Sequence, residues 1–109
     1  MLYLTNAFSL SMIPIKDEET IRIKQITLED VKKLLSTSEW RSAIGHESTA
    51  HFLTQILEIN VPFERVAIKL NRNDKVIVFQ LLSRLPEGKV LSPEELKTIH
   101  YKFFLVEFV

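Results

Sequence analysis

Val66-Ala67-Ile68-Lys69-Leu70, then Asn71-Arg72-Asn73-Asp74, then Val76-Ile77-Val78-Phe79-Gln80-Leu81-Leu82: two apolar, β-branched runs flank a polar tetrad. Asn and Asp side chains bond their own backbone in tight turns, so this stretch predicts a β-hairpin. Upstream of it, Ala50, Leu53, Ile56 and Leu57 recur at helical spacing, with Gly45 just ahead, and predict a helix that begins near His46 within the segment Ala43 to Ile59. Earlier still, Thr20-Ile21-Arg22-Ile23-Lys24-Gln25-Ile26 alternates apolar and polar residues, the pattern of a half-exposed strand. Thr27 with Asp30 forms a near capping box ahead of Leu28, Val31, Leu34 and Leu35, which predicts a helix over about Leu28–Leu35. The apolar opening Leu2 to Phe8 reads as a first, buried strand. Downstream of the hairpin, Ser92-Pro93-Glu94-Glu95 carries a capping box with proline at the first helical position, and Lys102 to Val109 has the aromatic, β-branched character of a last strand.

The predicted order is strand, strand, helix, helix, strand, strand, helix, strand. A hairpin mixed with helices that cross over a sheet gives an α/β (α+β) fold: a mixed five-stranded sheet flanked by about three helices, in a single compact domain over residues 1–109. That length supports one hydrophobic core and is too short for two.

Composition narrows the function classes. With 46% hydrophobic and 26% charged residues, two glycines and four prolines, the chain is not of a disordered type. Fourteen basic residues offset fourteen acidic ones, so there is no overall field to hold a long nucleic acid through many phosphates; a small ligand with few phosphates remains compatible. The absence of cysteine removes disulfides, thiolate nucleophiles and zinc-thiolate sites, and points to a reducing, cytoplasmic setting. No apolar run approaches the roughly 18 residues of a membrane span, and the start lacks a secretion-signal pattern, so no membrane partner is expected.

Scarce glycines point to positions of unusual backbone angle or close ligand approach. One lies in Ser42-Ala43-Ile44-Gly45-His46-Glu47-Ser48-Thr49, where a helix start offers N–H groups and a positive dipole end to a phosphate. The other lies in Ser83-Arg84-Leu85-Pro86-Glu87-Gly88-Lys89, a loop that can extend an arginine over a ligand. On residue type alone each feature also has a plain reading. His46 fits a cap or surface residue, and Arg84 with Glu87 fits an exposed ion pair worth at most about 1 kcal/mol. Ser9 fits a turn-former and Arg65 a solvated face. His46, His51 and His100 show no metal-ligand spacing, so no metal or other cofactor is expected. Neither a G-x-S-x-G elbow nor a glycine-rich phosphate loop is present, which leaves histidine acid–base chemistry as the remaining enzymatic option.

Four separated blocks, Leu4-Thr5-Asn6-Ala7-Phe8-Ser9, Ser42 to Ala50, Arg65-Val66-Ala67-Ile68-Lys69 and Arg84-Leu85-Pro86-Glu87-Gly88, resemble the family of small crenarchaeal-virus proteins that includes the viral ring nucleases. The resemblance implies a homodimer with a ligand pocket across its two-fold axis, cyclic tetra-adenylate as substrate, no metal, and a place in the host cytoplasm for a viral member. It implies an anti-CRISPR phosphodiesterase that switches off type III CRISPR signalling. By position, His46 would be the general acid, Arg84 and Glu87 a pair that positions the phosphodiester and ribose, and Ser9 and Arg65 ligand contacts, with Asn6, Ser48 and Gln80 near the same surfaces. The chemistry fits these residue types, because the ribose 2'-hydroxyl can attack phosphorus while an acid protonates the departing 5'-oxygen, leaving linear di-adenylate with 2',3'-cyclic phosphate ends. Two other readings stay open: a non-catalytic cyclic-oligonucleotide binder using the same pocket, and a viral nucleic-acid-binding regulator, for which no basic helix or aromatic platform is evident.

Overall fold

The computed structural model describes residues 1–85 and 90–109. In chain order the elements are β1 (Leu2–Thr5), a 3-10 turn (Leu10–Met12), β2 (Ile21–Ile26), α1 (Leu28–Thr37), β3 (Trp40–Ala43), α2 (Glu47–Leu57), β4 (Lys75–Leu81), α3 (Pro93–Leu96) and β5 (Tyr101–Phe108). The five strands form one sheet in the order β2-β5-β4-β1-β3. β1 runs parallel to both β3 and β4, while β5 runs antiparallel to β4 and β2, so the sheet is mixed as expected.

The hairpin does not form. β4 has β1 on one side, with Leu2 opposite Lys75, and β5 on the other, with Val78 opposite Phe104. Both of its edges are therefore taken, and Val66–Leu70 cannot pair with it. That segment instead runs extended across one face of the sheet, burying Ile68 and Leu70 on it. Leu70 N donates to Met12 O at 2.8 Å, which ties the segment to the 3-10 turn. The Asn71–Asp74 turn itself is real: Asp74 N donates to Asn71 O and Asn71 N donates to Asp74 Oδ2. The fifth strand is β3, which the sequence reading missed.

Apolar periodicity decides the two faces. Leu4, Ile77, Phe79 and Phe103 point toward α1 and α2, meeting Val31 and Leu35 of the first and Phe52, Leu53 and Leu57 of the second. Phe79 lies 5.4 Å from Phe103 and 5.9 Å from Phe52 between ring centroids, an aromatic knot at the centre of the helix-side core. Each such fully buried side chain contributes about 1.5–3 kcal/mol relative to exposure. On the opposite face Val76, Val106 and Ala43 are covered by Ile68 and Leu70 only near the amino ends of the parallel strands and at β3. Toward β2 this face stays open, and Ile23 is 59% exposed. β2 is thus an edge strand more exposed than its alternation implied, and its Arg22 and Lys24 suit an edge that must not pair with another chain.

Candidate functional site

Three parallel strands, β3, β1 and β4, end on the same edge of the sheet, and in open α/β sheets ligands bind in the crevice beyond the carboxyl ends of the strands. β1 releases Asn6 there, β3 releases Gly45 and His46, and β4 releases Ser83 and Arg84. Buried Thr5 stitches the first two exits together, its hydroxyl bonding to Ala43 O at 3.2 Å and its Oγ1 accepting from Ala7 N at 3.2 Å. One residue on, Asn6 Oδ1 accepts from Gly45 N at 3.0 Å. The turn is braced from outside as well, where Ser42 Oγ donates to Pro62 O and Glu64 N donates to Ile44 O.

That turn delivers His46 as the N-cap of α2, in extended conformation and without a side-chain cap bond. The other two α-helices among the described residues are capped differently. Thr27 and Ser92 each make a full capping box, through Asp30 and Glu95. Placing His at the third N-cap forgoes roughly 1 kcal/mol that Ser, Thr or Asn would contribute, and leaves an exposed imidazole beside the N–H groups of the first turn.

Below Asn6 the open sheet face holds a cavity of about 640 Å³, lined by Asn6, Ala7, Phe8, Val78, Gln80 and Phe104 among others. Val78 and Phe104 are register partners, so they and Gln80 share this face.

A family model described as STIV B116-like matches residues 2–103. The chain belongs to the STIV B116-like family. It is 42% identical over 110 residues to uncharacterized protein 26 of Sulfolobus islandicus filamentous virus (isolate Iceland/Hveragerdi), spanning 100% of this chain and 92% of that protein. It is 34% identical over 87 residues to the uncharacterized protein YddF of Bacillus subtilis (strain 168), spanning 78% of this chain and 81% of that one, so relatives are not confined to viruses. Among solved structures it is similar to B116 of Sulfolobus turreted icosahedral virus, with a TM-score of 0.84 and 32% identity over 97% of each chain.

Of the residues singled out in the sequence, the B116-like fold brings Asn6 and Gln80 to one cavity, and sets His46 and Ser48 on the α2 turn that Asn6 holds. Arg65 stands beside that turn, its Cγ 3.7 Å from where a Cβ on Gly45 would be. Arg84 is exposed just past the end of β4. Glu87 and Gly88 lie outside the described residues. Ser9 is engaged as the turn-former of its plain reading: it caps the 3-10 turn, accepting from Ser11 N at 3.3 Å and sharing a hydrogen bond with Ser11 Oγ. Gly45 corrects one expectation. Its backbone is not in the left-handed region, and an added Cβ would make only ordinary contact, so no unusual angle explains this glycine.

Phe8 and Phe104 were not singled out. Strand parity alone places Phe104 on the Gln80 face, but only once β4 and β5 are known to pair. Arg72 holds the Glu19 carboxyl below its ordinary value, hydrogen bonds from Thr27 do the same for Asp30, and burial raises the Tyr101 phenol. Among the described residues no three His, Cys, Asp or Glu side chains are grouped as a metal site, and no helix is long and apolar enough to cross a membrane.

Proposed function

We propose that this B116-like protein is a ring nuclease that opens cyclic tetra-adenylate without a metal and acts as a homodimer, which as a viral product would switch off type III CRISPR signalling. The observation that carries the reading is the α2 N-cap: a histidine where a better cap would stabilise the helix, held by Asn6 through Gly45 at the carboxyl edge of three parallel strands. His46 protonates the departing 5'-oxygen as the 2'-hydroxyl, giving up its proton to solvent water, attacks phosphorus, a contribution of about 10²- to 10⁴-fold for general acid catalysis. The α2 first turn and Arg84 offset charge on the phosphate oxygens, which is electrostatic stabilisation where charge develops. Asn6 and Gln80 present amide groups to the nucleoside from the cavity wall. Because the nucleophile belongs to the substrate, the reaction needs neither a covalent enzyme intermediate nor a metal-bound water. A ring of four equal nucleotides contains a two-fold axis, so a two-fold dimer presents the same groups to opposite phosphodiesters.

The test is incubation with labelled cyclic tri-, tetra- and hexa-adenylate, with and without excess chelator, and chromatographic separation of products. The expected result is linear di-adenylate with a 2',3'-cyclic phosphate from the tetramer at equal rate in both conditions. A bound but intact ring would make the protein a binder, and cleavage abolished by chelator would replace the acid mechanism with a metal-dependent one.

A further inference from the structure

The end of the β4·β5 ladder departs from regular antiparallel pairing in one respect. Leu81 is opposite Tyr101, and the next pair would be Leu82 with His100. Leu82 N does donate to His100 O at 2.8 Å. In a regular hydrogen-bonded pair His100 N would return the bond to Leu82 O. It donates instead to Ser83 Oγ at 2.9 Å. A side chain has taken the place of a carbonyl, and the main chain leaves the sheet one step early. Two residues on, Leu85 packs against the helix-side core. Arg84 stands between the hydroxyl that turns the chain outward and the leucine that draws it back in, and it is exposed.

We propose that Ser83 is a positioning residue for Arg84: by substituting its hydroxyl for the Leu82 carbonyl it sets where the chain leaves β4, and so where the guanidinium meets the substrate phosphate. The proposal rests on the ring-opening reading of this edge. Its physical content is that removing the hydroxyl does not leave His100 N without a partner. Leu82 O is one residue away, and the ladder extends by that pair. The fold keeps its hydrogen bond, and Arg84 is re-aimed. A displacement on the order of 1 Å is enough to cost about a hundredfold in rate, so the loss falls on chemistry and not on stability.

The experiment uses Thr and Val at position 83, isosteres that differ in the hydroxyl. Ser83→Val should lower kcat for cyclic tetra-adenylate by about ten- to a hundredfold, while Ser83→Thr stays near the wild-type rate. Both should keep a thermal midpoint within about 2 °C of wild type, and His100 N should stay protected from hydrogen exchange. In an Arg84→Ala background, Ser83→Val should cost less than about twofold further, because the group it positions is already gone. Ser83→Val acting at the wild-type rate, or the same penalty with and without Arg84, overturns the proposal while leaving the ring-opening reading intact. A wild-type protein that leaves every ring uncut overturns that reading and this proposal with it.

Discussion

Asn6 Oδ1 accepts the Gly45 amide hydrogen at 3.0 Å, and this bond joins the end of β1 to the turn that carries His46. Asn6→Leu removes the acceptor and should cost about 1–2 kcal/mol in chemical denaturation, since the Gly45 N–H is partly buried. Asn6→Asp keeps the oxygen and should keep most of the stability, but adds negative charge beside the proposed phosphate site. Ring affinity should fall in the Asp variant, and equal affinity would remove Asn6 from the ligand surface.

His46 is exposed and makes no cap bond, so stability and activity should separate there. His46→Asn supplies a strong cap and should stabilise the fold by about 0.5–1 kcal/mol. The same change should slow ring opening by about 10²- to 10⁴-fold while the ring still binds. A variant that is stabilised and still cleaves at full rate would show the histidine to be a cap replacement only.

Gly45→Ala meets only Arg65 Cγ at ordinary contact distance and no left-handed backbone. Unfolding free energy should stay the same or rise by up to about 1 kcal/mol, the gain from a less flexible unfolded chain. Ring capture should nonetheless weaken, because the methyl group occupies the close approach to the α2 amides. Unchanged binding in titration calorimetry would place the phosphate elsewhere on the edge.

Gln55 on α2 clasps the main chain of Leu91, with Nε2 donating to Leu91 O at 2.8 Å and Oε1 accepting from Leu91 N at 3.3 Å. Leu91 is itself buried in the helix-side core. Gln55→Ala leaves two partly buried main-chain groups without partners and should cost about 1–3 kcal/mol. Denaturant midpoints of the two proteins decide it.

Hydrogen bonds from Thr27 hold the Asp30 carboxyl below its ordinary value, and in return the capping box starts α1. A carboxyl whose folded pKa is depressed stabilises above the unfolded value and loses that contribution as pH falls through the folded one. The difference in thermal midpoint between wild type and Asp30→Asn should therefore be full at neutral pH and close as the solution is acidified below the ordinary Asp range. A difference that grows on acidification would reverse the assignment.

The fold class was legible because Leu4, Ile77, Phe79 and Phe103 lie in runs too apolar to be anything but buried, and because Thr27 and Ser92 announce their helices with capping boxes. Trp40–Ala43 was not legible as a strand. It is four residues long, holds Arg41 and Ser42, and buries the latter only because Pro62 O comes to accept its hydroxyl. Val66–Leu70 misled for the opposite reason: its burial of Ile68 and Leu70 is real, but strand formation needs an open neighbour, and β1 had taken it. At the proposed site, the helix start marked the place of His46 but fitted a plain cap or surface residue equally well, and only the family resemblance gave it a role. Ser83 and the Asn6–Gly45 bond could not, because each depends on which strands end side by side.

The place of β1 between β4 and β3 also shapes how the chain reaches this state. Leu2 pairs with Lys75 and Trp40, and Ile21 on β2 waits for Phe108 on β5. No two strands that pair across the middle of the sheet are close in sequence, apart from the β4–β5 return. During synthesis the first strand therefore stays unpaired on one side until β4 has been made, and β2 until nearly all of β5 has. Such non-local pairing slows folding and lengthens the time that strand edges are bare. The helices can form early, but the carboxyl edge shared by β3, β1 and β4 comes into being only once β4 has been made.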